Sequence, residues 1–142
     1  MSDSTPEAMP SALSHVSIGT NNFEKALKFY DQVLATLELK RTFEALEHSA
    51  VAYGRQFPEF WVQKPINQEA ASVGNGTHFA FLAFDTESVD AFYETAMKLG
   101  ASDDGAPGAR PHYSDAYYGC FFRDLDGHKI EAMFWDESKA PS

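Results

Sequence analysis

Ser14-His15-Val16 is matched by Thr77-His78-Phe79, and Phe29-Tyr30 by Phe92-Tyr93, each pair of stretches lying 63 positions apart. A single spacing shared by both matches marks a duplicated supersecondary module, since the period is too long for a solenoid repeat. Two like modules packed about a pseudo-twofold axis bring equivalent residues together. The pattern therefore predicts that His15 and His78 meet at the join.

Working outward from each histidine, residues 12–18 alternate as a strand, with Val16 and Ile18 on one side and His15 and Ser17 on the other. Asn21-Asn22-Phe23-Glu24 supplies a helix cap, because an Asn side chain satisfies free amides of the first turn. Ala26, Leu27, Phe29, Tyr30, Val33, Leu34 and Leu37 then recur at helical spacing and form a core-facing stripe. Residues 39–47, 49–54 and 58–64 read as three strands, and 65–76 as the linker.

The second copy begins with a strand at 77–84, followed by a helix capped at Asp85 or Thr86 and stopped by Gly100. A loop is expected at 102–116, where Gly, Pro, Asp and Ser concentrate. Strands at 117–123 and 128–135 flank the turn Asp124-Leu125-Asp126-Gly127. The organisation is a tail at 1–11, one α+β domain at 12–136 with modules at 12–66 and 76–136, and a tail at 137–142.

Aligning the module ends by their alternation sets Phe60-Trp61-Val62-Gln63 against Ile130-Glu131-Ala132-Met133. Ile130, Ala132 and Phe134 then face the helices, and Glu131 and Met133 face the other way. A carboxylate among apolar neighbours needs a partner, because burying an isolated charge is expensive. His15 and His78 are the partners the strands offer. Two imidazoles and one carboxylate make a divalent-metal site with positions left for substrate or water. The alternatives are a plain His–Glu hydrogen bond or a pocket that has lost its metal. Trp61, at the fourth symmetry position, cannot ligate; it serves as an aromatic wall or as core. Gln63, on the same strand face, is a weak ligand.

Composition narrows the partners. The 142 residues carry a net charge of −10, a field that repels phosphate backbones, so nucleic acid is not an expected partner. No basic stretch or long apolar run suggests a membrane role. Cys120 is the sole cysteine, which excludes an intrachain disulfide, fits a reducing cytoplasm, and within Gly119-Cys120-Phe121-Phe122 reads as a buried hydrophobe. The start, Met1 to Pro10, lacks a basic-then-apolar leader pattern and reads as a mobile tail.

The residues quoted resemble the vicinal oxygen chelate superfamily, which includes glyoxalase I, extradiol dioxygenases and bleomycin or fosfomycin resistance proteins. The likeness rests on Ser14 to Ile18, Ala26 to Tyr30, Gly76-Thr77-His78-Phe79-Ala80-Phe81, and the run from Tyr118 through Asp124-Leu125-Asp126-Gly127 to Glu131. Leu125 stands where the family usually has Pro, a change a turn tolerates. The resemblance implies two βαβββ modules forming a cup-shaped, partly open barrel around a divalent ion. It implies His15, His78 and Glu131 as metal ligands. The family's further Glu, found in glyoxalase I, matches Trp61, which argues against glyoxalase I proper. A homodimer is also implied, with modules paired within one chain or exchanged between two.

The leading expectation is a small enzyme that chelates adjacent oxygens of a small-molecule substrate through the ion. Fe or Mn would suit dioxygenase chemistry; Zn, Ni, Co or Mn would suit a lyase or isomerase. Glu131 and Tyr118 are the catalytic candidates, and Trp61, Gln63, His112, Tyr113 and Tyr117 the substrate-binding ones. His128 is expected at the surface, and His48 has no evident partner. The second reading is a metal-free, drug-binding protein of the bleomycin-resistance type, using Trp61, Phe60, Phe121 and Trp135 for cation–π capture.

Overall fold

The computed structural model describes residues 11–141 and contains two four-stranded sheets, each with one helix against it. In module one, β1 (Val16–Gly19) leads to α1 (Phe23–Ala35), then β2 (Lys40–Ala45), β3 (Ala50–Gly54) and β4 (Phe60–Gln63). Module two repeats this as β5 (His78–Leu82), α2 (Thr86–Lys98), β6 (Ser102–Ala109), β7 (Tyr117–Arg123) and β8 (Lys129–Trp135). The strand orders are β1-β4-β3-β2 and β5-β8-β7-β6, the same arrangement twice. The architecture is the expected α+β pair of βαβββ modules, with sheets that do not close into a barrel.

Register bears out the internal alignment. The parallel pair β1–β4 sets Ser17 opposite Trp61, and the parallel pair β5–β8 sets Ala80 opposite Glu131. Trp61 and Glu131 are therefore structural counterparts.

Both helices start where the sequence supplies a cap. Asn22 Oδ1 accepts from the Lys25 amide, and Asp85 forms a reciprocal capping box with Ser88. Gly100 follows α2 with φ +107°, a left-handed conformation that other residues adopt at a cost. The helices carry the aromatic stripes that join the modules. Phe29 of α1 meets Phe122 of β7, Phe92 of α2 meets the same ring, and Phe60 meets Phe79 and Phe81. One continuous core results, drawn from both copies.

A polar seam closes the same join. The buried Tyr30 hydroxyl donates to Asp124 Oδ2 at 2.5 Å, and the Asn21 amide donates to Asp126 Oδ1. His128, expected at the surface, is 7% exposed and its Nε2 bonds the Gly19 carbonyl at 2.7 Å. The turn glycine before it folds the imidazole inward onto module one, an effect that exists only once the modules dock.

The stretch 102–116 departs most from its expected form. Its first half is β6, paired antiparallel to β7 with irregular register between Asp103 and Gly105 and between Gly105 and Gly108. Those irregularities absorb Gly105, at φ +146°, and Pro107, so tertiary pairing overrides a loop-like composition. At the C-terminal end, Asp136 caps a short 3₁₀ turn at Glu137–Lys139 within the expected tail. The expected N-terminal tail lies outside the described residues apart from Ser11. Among the described residues, no helix is long and apolar enough to cross a membrane.

Candidate metal centre

Alternation along β7 and β8 sorts their side chains onto two faces. Tyr118, Cys120 and Phe122 look toward the helices: Tyr118 donates to Asp90, the Cys120 thiol to the Val89 carbonyl, and Phe122 packs on Phe92. Tyr117, Phe121 and Glu131 occupy the opposite face, with His78 beside them.

On that face, Glu131 is only 7% exposed, so its carboxylate must be satisfied locally. One oxygen, Oε1, lies 3.1 Å from His78 Nε2. The other, Oε2, accepts from the Tyr117 hydroxyl at 2.6 Å. His78 remains 44% exposed at its side chain, so the pair opens to solvent on the imidazole side. Burial, followed by the bond to Glu131, pushes the Tyr117 hydroxyl far above its ordinary pKa. Tyr117 is therefore a fixed donor near neutral pH. It cannot act as a base there.

Gly119 makes this contact possible. A Cβ on Gly119 would lie 2.2 Å from the Tyr117 oxygen, so the phenol lies along the sheet over a residue with no side chain. Tyr113 packs edge-on against Tyr117 at 5.0 Å between centroids, and His112 packs on Tyr113 at 4.4 Å.

The correction among the catalytic candidates is Tyr118, whose hydroxyl is engaged by Asp90 on the helix face. The nearest phenol to Glu131 is its neighbour Tyr117. Gln63 is half-buried at the end of β4, paired with Gly19 and Ala50, and not beside the His78–Glu131 pair.

His15 stands one residue before β1 and is bonded through Nδ1 to Ser14 Oγ at 2.9 Å. It lines a cleft of about 280 Å³ that also contains His78, Phe60, Phe79 and Phe81. Both histidines therefore line one cleft. Yet no three His, Cys, Asp or Glu side chains converge tightly enough within one chain to hold an ion, among the described residues. His78 and Glu131 are brought together; His15 is not. Trp61 packs with Phe43 at 5.6 Å and with His15 at 6.4 Å, which makes it part of an aromatic wall rather than of the core.

The glyoxalase/bleomycin resistance protein/dioxygenase superfamily model matches residues 12–132. The chain belongs to this superfamily. It is 28% identical over 127 residues to the metallothiol transferase FosB of Shouchella clausii (strain KSM-K16), covering 87% of this chain and 80% of that one. A glyoxalase/bleomycin resistance protein structure from Albidiferax ferrireducens T118 is 34% identical, with a TM-score of 0.78, covering 87% of this chain and 98% of the other. The fosfomycin resistance protein FosX of Listeria monocytogenes shares the fold at 18% identity and a TM-score of 0.64, over 92% of this chain and 98% of its own.

The cation-capture reading loses half of its four aromatic residues. Phe60 is buried in the core, and Phe121 is already faced by Arg110 and Lys129 at 5.8 and 5.1 Å from its centroid. A cationic ligand at Phe121 would meet two like charges. Trp61 and the 39%-exposed Trp135 are the remaining members of that set.

Proposed function

We propose that this protein is a divalent-metal-dependent enzyme that binds a small substrate through adjacent oxygens, as a dioxygenase, lyase, isomerase or transferase other than glyoxalase I. The observation that carries the reading is the buried Glu131 carboxylate, held by Tyr117 at one oxygen and placed 3.1 Å from His78 Nε2 at the other. An imidazole nitrogen and a carboxylate oxygen at this spacing fit a borderline divalent ion such as Fe, Mn, Zn, Ni or Co. When bound, the ion supplies Lewis acidity to the substrate oxygens. Tyr117 keeps Glu131 oriented.

The third ligand in this reading is His15 from a second copy of the chain. Among the described residues, β1 and β5 are both sheet edges, with backbone left unpaired along one side. His15 precedes one edge and His78 opens the other. A homodimer in which His15 of one copy reaches the His78–Glu131 face of the next would supply the third ligand.

Metal analysis of protein purified without an affinity tag tests the proposal. Near-stoichiometric metal is expected in the wild type, with strong loss in His78→Ala and Glu131→Gln. A folded wild type that takes up no metal, together with unchanged ligand binding in His78→Ala, would instead support the metal-free binding protein.

A further inference from the structure

Arg110 lies at the end of β6, just before the loop that carries His112 and Tyr113. Its side chain folds back over the sheet: Nη2 donates to the Ala106 carbonyl at 2.8 Å and Nη1 to the Ala109 carbonyl at 3.3 Å. Two glycines leave room for it. A Cβ on Gly105 or on Gly108 would approach a guanidinium nitrogen to 3.2 Å, so larger residues there would crowd the fork. The shelf beneath is the Phe121 ring, 9% exposed, on the face shared with His78 and Glu131. Phe121 is also the strand partner of Glu131.

Arg110 is short of an acidic partner. Arg41 pairs with Asp31, and Arg123 and Lys129 both reach Asp104, but no carboxylate lies within 4.0 Å of Arg110 among the described residues. A guanidinium carries five N–H donors in a planar fork, and the two carbonyls use two of them. Three remain, on a side chain whose position is set by backbone. In a chain of net charge −10 these donors form a local positive point next to Phe121, on the face shared with the proposed ligand pair, and their planar fork matches the geometry of an oxyanion.

We propose that Arg110 anchors an anionic oxygen group, a carboxylate or a phosphate, of the substrate bound at the His78–Glu131 face. Lys129, 5.1 Å from the centroid of the same ring, adds a weaker charge compensated by Asp104. The proposal names the substrate class for the site described above and rests on that reading. Neutral ligands would leave the fork unmatched.

The test is calorimetric titration of the full-length chain with oxalate, its neutral analogue oxamide, and inorganic phosphate, each with Mn(II)-loaded and with metal-free protein. Wild type is expected to prefer oxalate to oxamide. Arg110→Met should weaken the anions by on the order of tenfold to a hundredfold in both states, while oxamide binding and Mn(II) stoichiometry stay put. Arg110→Lys should recover part of the loss, and near-ultraviolet circular dichroism checks the fold of both variants. Tighter phosphate than oxalate points to a phosphorylated substrate, and the reverse to a carboxylate. Arg110→Met binding both anions as wild type does, or wild type binding neither, overturns the inference. If wild type takes up no Mn(II), the metal reading falls by itself, and the metal-free titrations still decide the case for Arg110.

Discussion

Tyr117 donates to Glu131 Oε2 at 2.6 Å although its own strand partner is Trp135, well along β8 from Glu131. The reach comes from the phenol lying over Gly119 toward the Phe121–Glu131 rung. A hydroxyl so placed fixes which carboxylate oxygen is free to face His78.

Removing that hydroxyl should therefore loosen metal binding more than it loosens the fold. In Tyr117→Phe, Glu131 keeps His78 but loses its orienting donor. Affinity for Mn(II) or Zn(II) is expected to drop by on the order of tenfold to a hundredfold, as for other groups that orient ligands. Calorimetric metal titration beside thermal melts separates the effects. Wild-type affinity in this variant would remove Tyr117 from the site.

Gly119→Ala reaches the same result by another route. The added methyl has no space with the phenol in place, because its contact with the Tyr117 oxygen would be 2.2 Å. Tyr117 must swing away or the strand must shift, at about 1–3 kcal/mol of stability. Metal affinity should fall at least as far as in Tyr117→Phe, and the double variant should show little further loss. Additive losses would mean the glycine matters for some other reason.

How legible all this was in the sequence depends on which residues were read. The duplication, the helix caps at Asn22 and Asp85, and the Trp61–Glu131 correspondence rest on local alternation and spacing, and the fold kept them. β6 was hidden because Gly105 and Pro107 look like loop residues until β7 supplies pairing that tolerates bulges. Tyr117 and Tyr118 are adjacent and chemically alike, so only strand phase separates the phenol facing Glu131 from the one facing Asp90. Extending the alternation back from Glu131 through β7 could have made that choice. The inward turn of His128 and the Tyr30–Asp124 bond arise between modules, where no local pattern reports.

The inter-module bond predicts a pH-dependent loss in Tyr30→Phe. Burial raises the Asp124 carboxyl pKa, while the hydrogen bond from Tyr30 pulls it down. The ionised form is thus disfavoured in the folded state, and this contribution to stability declines as pH rises from the ordinary carboxylate value through the raised one. Deleting the Tyr30 donor penalises the ionised form more than the neutral one, because the bond to a carboxylate is the stronger. Urea denaturation should show a deficit of about 1.5–3 kcal/mol at pH 7 that shrinks as Asp124 protonates. An equal deficit at low pH would assign the loss to packing.

Cys120 should be chemically quiet. Burial pushes its thiol up to about 12, and its Sγ contacts the Val89 carbonyl under α2. At pH 8 the native thiolate fraction is smaller than that of a free cysteine of pKa about 8.5 by on the order of a thousandfold. Iodoacetamide labelling of the native protein should therefore be far slower than in urea. Rapid labelling in native buffer would place the thiol outside the core.

A last prediction follows from the separation of His15 from the His78–Glu131 pair within one chain. If the third ligand comes from a second copy, a homodimer has two composite sites. His15→Ala and Glu131→Gln homodimers should then each bind metal weakly. Unfolding and refolding the two variants together should yield a mixed dimer in which one site carries both defects and the other none. Metal content should rise from near zero to one ion per mixed dimer, about half of wild type once mixed dimers are isolated by differential tags removed before analysis. No rise on mixing, with mixed dimers present, would place all three ligands within one chain or leave His15 out of the site.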